Sequence, residues 1–163
     1  MNEQLLMELS HITGEEQDIL DGKTGIDRTL YSEGSDFVIT SEKMLKEGRL
    51  IQFRPHTRFV HFPRHTHNYV EMIYMCSGST THIINGTELI LQRGELLILN
   101  QHASQEILPA GKEDVAVNFI ILPEFFDQTL AMLGSEQSML RDFVVGCLQT
   151  ADSPLSYLHF KVS

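Results

Sequence analysis

The chain has 163 residues, 42% hydrophobic and 21% charged, which fits a globular domain with a sizeable core and excludes a disordered one. Its formal net charge is −10, and phosphate backbones attract basic surfaces, so the chain is unsuited to gripping nucleic acid by itself. Cys76 and Cys147 form no disulfide framework, and without a basic-then-apolar leader or a bilayer-length apolar run the sequence predicts a cytoplasmic location and no membrane partner.

The first 36 residues carry nine acids against Lys23 and Arg28. Leu5, Leu6 and Leu9 stand at helical spacing, predicting a short amphipathic helix over residues 2–10. Thr13 with Glu16 three residues later has the form of a capping box opening a second helix through Leu20. Ser41 is placed to cap a further turn, with Met44 and Leu45 inward and Gly48 as the stop. Residues 1–48 thus read as an acidic helical arm.

From Arg49 the pattern changes to short strands separated by turn residues. Strands are predicted at 50–53, 59–62, 68–76, 80–84, 87–92, 96–99, 104–108 and 115–122, with Asn85-Gly86 as the strongest hairpin signal. Closely spaced strands without intervening helices make residues 49–122 a β-sandwich or small barrel.

Pro123 opens a helical region, 123–150. Phe125, Phe126, Leu130 and Leu133 share one face of its first helix. Met139, Leu140, Phe143, Val144, Cys147 and Leu148 pattern the second. Such a pair either packs on the barrel or serves self-association. We expect a homodimer interface through Phe126, Leu130, Leu133, Leu140, Phe143, Val144 and Cys147. Ser153-Pro154 breaks the helix, and 151–163 reads as a returning strand over 155–162 in a chain cut before a further segment.

The most informative stretch is His65-Thr66-His67-Asn68-Tyr69-Val70-Glu71. Side chains on a strand alternate between faces, so an unbroken pleat puts His65, His67, Tyr69, Glu71 and Ile73 on one face. Two imidazoles, a phenol and a carboxylate each need a partner or water when buried, which predicts a cavity that holds something. Arg54 and Arg64 flank the pocket-side strands, either facing an anionic effector or solvated. His11, His56, His61 and His159 read as surface or turn residues.

His65-x-His67, three residues, Glu71 and six more before Gly78 match the core of the first cupin motif, and Gly86 followed by Gln92-Arg93-Gly94 partly matches the second. The sequence resembles the cupin sensor domain at the N-terminus of AraC-type bacterial transcription regulators, mainly over residues 60–108. Two positions depart: Phe59 replaces a glycine, and Leu97 replaces the fourth metal-binding histidine. The resemblance implies a mainly β (α+β) fold, a double-stranded β-helix or cupin barrel with short N-terminal helices and a C-terminal helix pair.

It further implies a small-molecule effector, sugar-like or bearing carboxylate or hydroxyl groups, meeting His65, His67, Tyr69, Glu71, His82, His102 and Gln105. No cofactor is expected, although His65, His67 and Glu71 would offer three ligands to a divalent metal. DNA would be contacted only through a C-terminal helix-turn-helix part absent from this sequence. Two alternatives compete: a stand-alone metal-dependent cupin enzyme acting on a sugar or small acid, and a dimerisation module with an empty pocket.

Overall fold

The structure is a computed structural model that describes residues 1–135, 137–149 and 155–163. The arm comprises α1 (Glu3–Ser10), α2 (Gly14–Leu20), a 3-10 turn at Arg28–Leu30, the two-residue strand β1 (Val38–Ile39) and α3 (Ser41–Met44). The Thr13 hydroxyl accepts from Glu16 N–H and the Glu16 carboxylate accepts from Thr13 N–H, forming the expected capping box. Thr40 rather than Ser41 is the residue before α3, with Met44 buried.

The barrel strands are β2 (Ile51–Pro55), β3 (Phe62–His67), β4 (Val70–Ser77), β5 (Ser79–Ile84), β6 (Thr87–Gln92), β7 (Leu96–Leu99), β8 (Gln105–Ile107) and β9 (Val115–Ile121). After them come α4 (Phe126–Met132), α5 (Met139–Leu148) and β10 (Tyr157–Phe160). One five-stranded sheet runs β1-β3-β8-β5-β6 and the other β10-β7-β4-β9-β2. Only β1–β3 is parallel among these pairings. Two sheets closed over an apolar interior are the cupin barrel.

Two strand expectations are corrected. Residues 59–61 form no strand, because Phe59 adopts φ 70° and redirects the chain before β3 begins at Phe62. This left-handed conformation costs a non-glycine residue about 1–2 kcal/mol. Phe59 N–H donates to the Ala110 carbonyl at 2.9 Å, and the Arg58 guanidinium stacks 5.2 Å from the Phe59 ring. The backbone thus keeps the bend for which the cupin pattern uses glycine.

The predicted strand at 68–76 begins later, at Val70, while His65 and His67 lie on β3 of the opposite sheet. The chain changes sheets at Asn68-Tyr69, where the arm holds the corner. Asn68 Oδ1 accepts from Ser41 N–H at 2.6 Å, and Asn68 N–H donates to Ile39 O at 3.2 Å.

Ile73, Met75, Ile84, Leu91, Leu97 and Leu99 fill one end of the interior. Tyr31, Ile39 and Met44 of the arm join Phe62, Tyr69, Ile107 and Ile120 at the other. Leu6 and Leu9 of α1 cover Cys76, Val115 and Val117. Phe143 and Cys147 of α5 pack with Val70, Ile98, Ile121 and Leu158. Phe143, Val144 and Cys147 are therefore buried within their own chain, which corrects their assignment to a dimer interface.

The arm is also held by a buried ion pair. Arg58 Nε donates to Glu16 Oε2 at 2.6 Å, one terminal nitrogen donates to Glu16 Oε1 at 3.1 Å, and Arg58 N–H also donates to Oε2. The remaining guanidinium donors reach the carbonyls of Ser10, His11 and Lys112. Burial would raise the Glu16 carboxyl, but hydrogen bonds from Arg58 and Thr13 outweigh it and hold its pKa below 4.5.

Removing one partner strands the other charge, so Arg58→Ala should destabilise the protein by about 3–5 kcal/mol in urea unfolding. Because the folded pKa of Glu16 is depressed, its contribution is complete above about pH 4.5 and fades as pH falls through the folded value. The acid limb of a stability–pH curve should accordingly be shallower for Arg58→Ala than for the parent.

Candidate functional site

Inward parity survives the change of sheet. His65 and His67 point in from β3, Glu71 points in from β4, and Tyr69 sits at the corner between them, all buried. The His65 and His67 rings meet edge-on with centroids 4.9 Å apart, and the His67 and Tyr69 centroids are also 4.9 Å apart. The strands expected to gather these side chains do gather them, from two sheets rather than one.

Two further residues complete the group. Asn118 of β9 donates from Nδ2 to Glu71 Oε1 at 3.1 Å. His56, just beyond β2, is buried against the same cavity. That corrects its reading as a surface residue. Both were signalled in the sequence: Asn118 interrupts an apolar strand, and Gln52, Arg54 and His56 continue one period-2 face past the predicted strand end.

These side chains line a cavity of about 40 Å³, together with Arg54 and Thr57. Its apolar wall is shared between Tyr31, Ile39 and Met44 of the arm and Phe62, Ile107 and Ile120 of the barrel. Its polar lining is under-satisfied. His56 Nε2, His67 Nδ1, Glu71 Oε2 and Asn118 Oδ1 have no well-aligned hydrogen-bond partner, nor does the nearby Gln105 Oε1, although Asn118 stands beside His56 and His67 beside Glu71. His67 Nε2 approaches Glu71 Oε2 to 3.1 Å, an ion-pair distance whose alignment leaves Oε2 without a donor. Buried polar atoms in native proteins are almost always paired, so a cluster of orphans around one space marks a place for hydrogen-bonding guests.

Burial, reinforced by the neighbouring His67, lowers the His65 pKa to about 4. Burial likewise lowers His56. These two imidazoles are neutral at pH 7. Burial alone would raise the Glu71 carboxyl, but the adjacent His67 outweighs it and keeps Glu71 below its ordinary range. Tyr69 is pushed well above 10 by burial and then by Glu71. The interior therefore carries a carboxylate kept in its ionised form beside His67 and hydrogen-bonded to Asn118.

His82 lies deeper and does not line the cavity. Its Nδ1 accepts from Gln105 Nε2 at 3.0 Å, and Nε2 pairs with Thr80 Oγ1 at 2.8 Å. Burial, then His56, lowers its pKa to about 3, in keeping with a neutral ring that accepts on one side and donates on the other. Gln105 stands opposite His65 across β3 and β8 and links this layer to the cavity group. His102 is placed elsewhere: its Nε2 donates toward the carbonyls of Gly146 and Gln149 at the end of α5. Arg64 is not among the cavity lining either.

The residues that would offer ligands to a divalent metal are His65, His67 and Glu71. His65 donates from Nδ1 to Pro63 O at 2.7 Å, and His67 turns Nε2 to Glu71. Among the described residues no three His, Cys, Asp or Glu side chains converge as ligands would. Leu97, at the fourth ligand position of the cupin pattern, is packed in the closed end of the barrel.

A cupin barrel with a polar interior cavity defines a small-molecule-binding domain. Residues 48–153 match the family described as the AraC-like ligand binding domain, and the chain belongs to that family. Among solved structures it is similar to ToxT from Vibrio cholerae, at 14% identity over 71% of this chain and 43% of that one, with a TM-score of 0.44. It is also similar to a predicted oxalate decarboxylase from Thermotoga maritima, at 22% identity over 45% of this chain and 66% of that one, TM-score 0.37. A third is the EutQ protein of Clostridium difficile, at 18% identity over 44% of this chain, TM-score 0.36; the chain spans about half of that protein, 54%. No curated protein matches.

Replacing His82 by Leu leaves Thr80 Oγ1 and the Gln105 amide without their shared partner. We expect a loss of about 1–3 kcal/mol in urea unfolding, the cost of unsatisfied buried groups.

Proposed function

We propose that this chain senses a small, hydrogen-bonding effector and belongs to an AraC-type transcription regulator working in the cytoplasm. The observation that carries this reading is the set of orphaned buried polar atoms around the cavity: His56 Nε2, His67 Nδ1, Glu71 Oε2 and Asn118 Oδ1. A ligand with several hydroxyl or amine groups, sugar-sized or smaller, would satisfy them. The cavity, at about 40 Å³, has room for water but not for such a ligand. Binding must therefore displace part of its wall, and Tyr31, Ile39 and Met44 are the arm's share of that wall.

The effector would thus bind the arm-displaced state more tightly, and that difference in affinity is what shifts the equilibrium. The signal would reach DNA through a helix-turn-helix part outside this chain, a reading in keeping with its strongly acidic composition. Sensing without a resident metal is the reading favoured by the non-converging ligand set and by Leu97.

A screen of sugars, amines and small acids by thermal melting tests the reading, because any ligand of the folded state raises Tm. An effector should also speed amide exchange in α3; a binder that leaves the arm's exchange unchanged would remove the proposed coupling.

We further propose a homodimer through the outer side of the helix pair. Leu140 is 44% exposed, beside Met139 at 67% and Met132 at 86%. Leu140→Asp should give a folded monomer in sedimentation experiments, whereas Phe143→Asp should unfold the chain, since Phe143 is 1% exposed. A Leu140→Asp protein that stays dimeric would exclude this face.

A further inference from the structure

Two formal charges of opposite sign face the cavity, and Glu71 has His67 Nε2 at ion-pair distance, 3.1 Å from Oε2. Glu71 Oε2 lacks a hydrogen-bond donor, and Glu71 is only 4% exposed. Arg54, half-buried at the cavity wall, makes no ion pair among the described residues. Its guanidinium touches the Met44 thioether and lies 5.9 Å from the Tyr31 ring centroid. A thioether is a weak acceptor, so these donors remain available to an anion.

The two charges belong to one inner face. Arg54 of β2 stands directly opposite Asn118 of β9, and Asn118 in turn donates to Glu71 of the adjacent β4. Cross-strand neighbours lie about 5 Å apart, so a carboxylate, an amide and a guanidinium span three adjacent strands within the reach of one small molecule. Burial holds His56 and His65 neutral at pH 7, while His67, 3.1 Å from Glu71 Oε2, is the imidazole that an incoming ammonium would have to displace.

We propose that the effector is a zwitterion of the amino-acid class, its carboxylate on Arg54 and its ammonium on Glu71 Oε2, with Asn118 Oδ1 accepting a second ammonium proton. This assignment rests on the reading of the cavity as an effector site. A simple carboxylate would bring a second anion beside Glu71, and a simple amine would face Arg54. A neutral polyol would satisfy hydrogen bonds but leave both charges unmatched. A net-neutral ligand of opposed polarity is the one complementary to both. Its carboxylate would compete with Met44 for Arg54, so recognition and displacement of α3 are one event.

The test uses thermal melting and calorimetric titration of the chain with the twenty common L-amino acids. Each is paired with the amine lacking its carboxylate and the acid lacking its amine, and common pentoses and hexoses complete the panel. At about a hundredfold excess over Kd, at least one amino acid should raise Tm by about 5 °C or more. Its singly charged partners should bind at least about tenfold weaker. Arg54→Gln, at a half-exposed position, should keep its unliganded melt but lose the response, and Glu71→Gln should lose it as well.

Binding of a sugar, amine or simple acid in preference to every amino acid overturns the zwitterion while leaving effector sensing intact. An amino acid that binds Arg54→Gln undiminished also overturns it. Silence from the whole panel counts against both the zwitterion and the sensing role.

Discussion

A carboxylate kept ionised away from water is the constraint on which the interior depends. Glu71 sits on β4, between β7 and β9 in its sheet. An isolated buried carboxylate costs several kcal/mol, so its neighbours are not free to be apolar. Asn118 comes from the adjacent strand, His67 from the facing sheet and His56 from beyond the edge strand β2. Asn118 and Glu71 pair within one sheet, and His67 joins them only when the facing sheet closes over it.

The two buried acids of this chain are treated in opposite ways. Glu16 receives donors on both oxygens, and its partner Arg58 has its remaining nitrogens satisfied by backbone carbonyls. Nothing is left over, as expected of a structural ion pair. Glu71 has one oxygen paired and one without a donor, and atoms around it are in the same state. An incompletely satisfied polar network lowers stability relative to an apolar core. Its persistence in an otherwise well-packed barrel is what separates a binding site from a structural network.

Much of this was legible locally. The strands at 87–92 and 96–99 follow from apolar alternation and the Asn85-Gly86 turn, and the α2 start follows from its capping box. The inward set His65, His67, Tyr69 and Glu71 was legible from parity alone, even though the chain changes sheets in its midst. Parity survives because both sheets turn their inner faces to one interior. Asn118 was left unassigned and His56 was placed at the surface, because the local patterns that mark them do not say which strands become neighbours. His102 was misplaced for the same reason: its loop docks against α5, a contact made across 44 residues of chain. Phe143, Val144 and Cys147 have the pattern of any amphipathic helix, and only packing decides whether the partner is the same chain or another.

The arm and the helix pair touch the interior differently, which bears on how binding would be transmitted. Tyr31, Ile39 and Met44 line the cavity itself, so the ligand competes with them directly. The helix pair is reached through a chain of contacts: Gln105 opposes His65, and three residues earlier His102 grips the end of α5. Gln101 donates to Cys147 O in the same loop, and Asn100 reaches Leu155 O ahead of β10. Direct competition needs no intermediate element with two discrete arrangements, whereas the second route needs one at the β7–β8 loop. The arm is also fastened by Glu16 and Arg58 at α2, well before α3. That pair would let Met44 leave the cavity while the arm as a whole stays attached, confining the proposed change to the segment between the staple and β2.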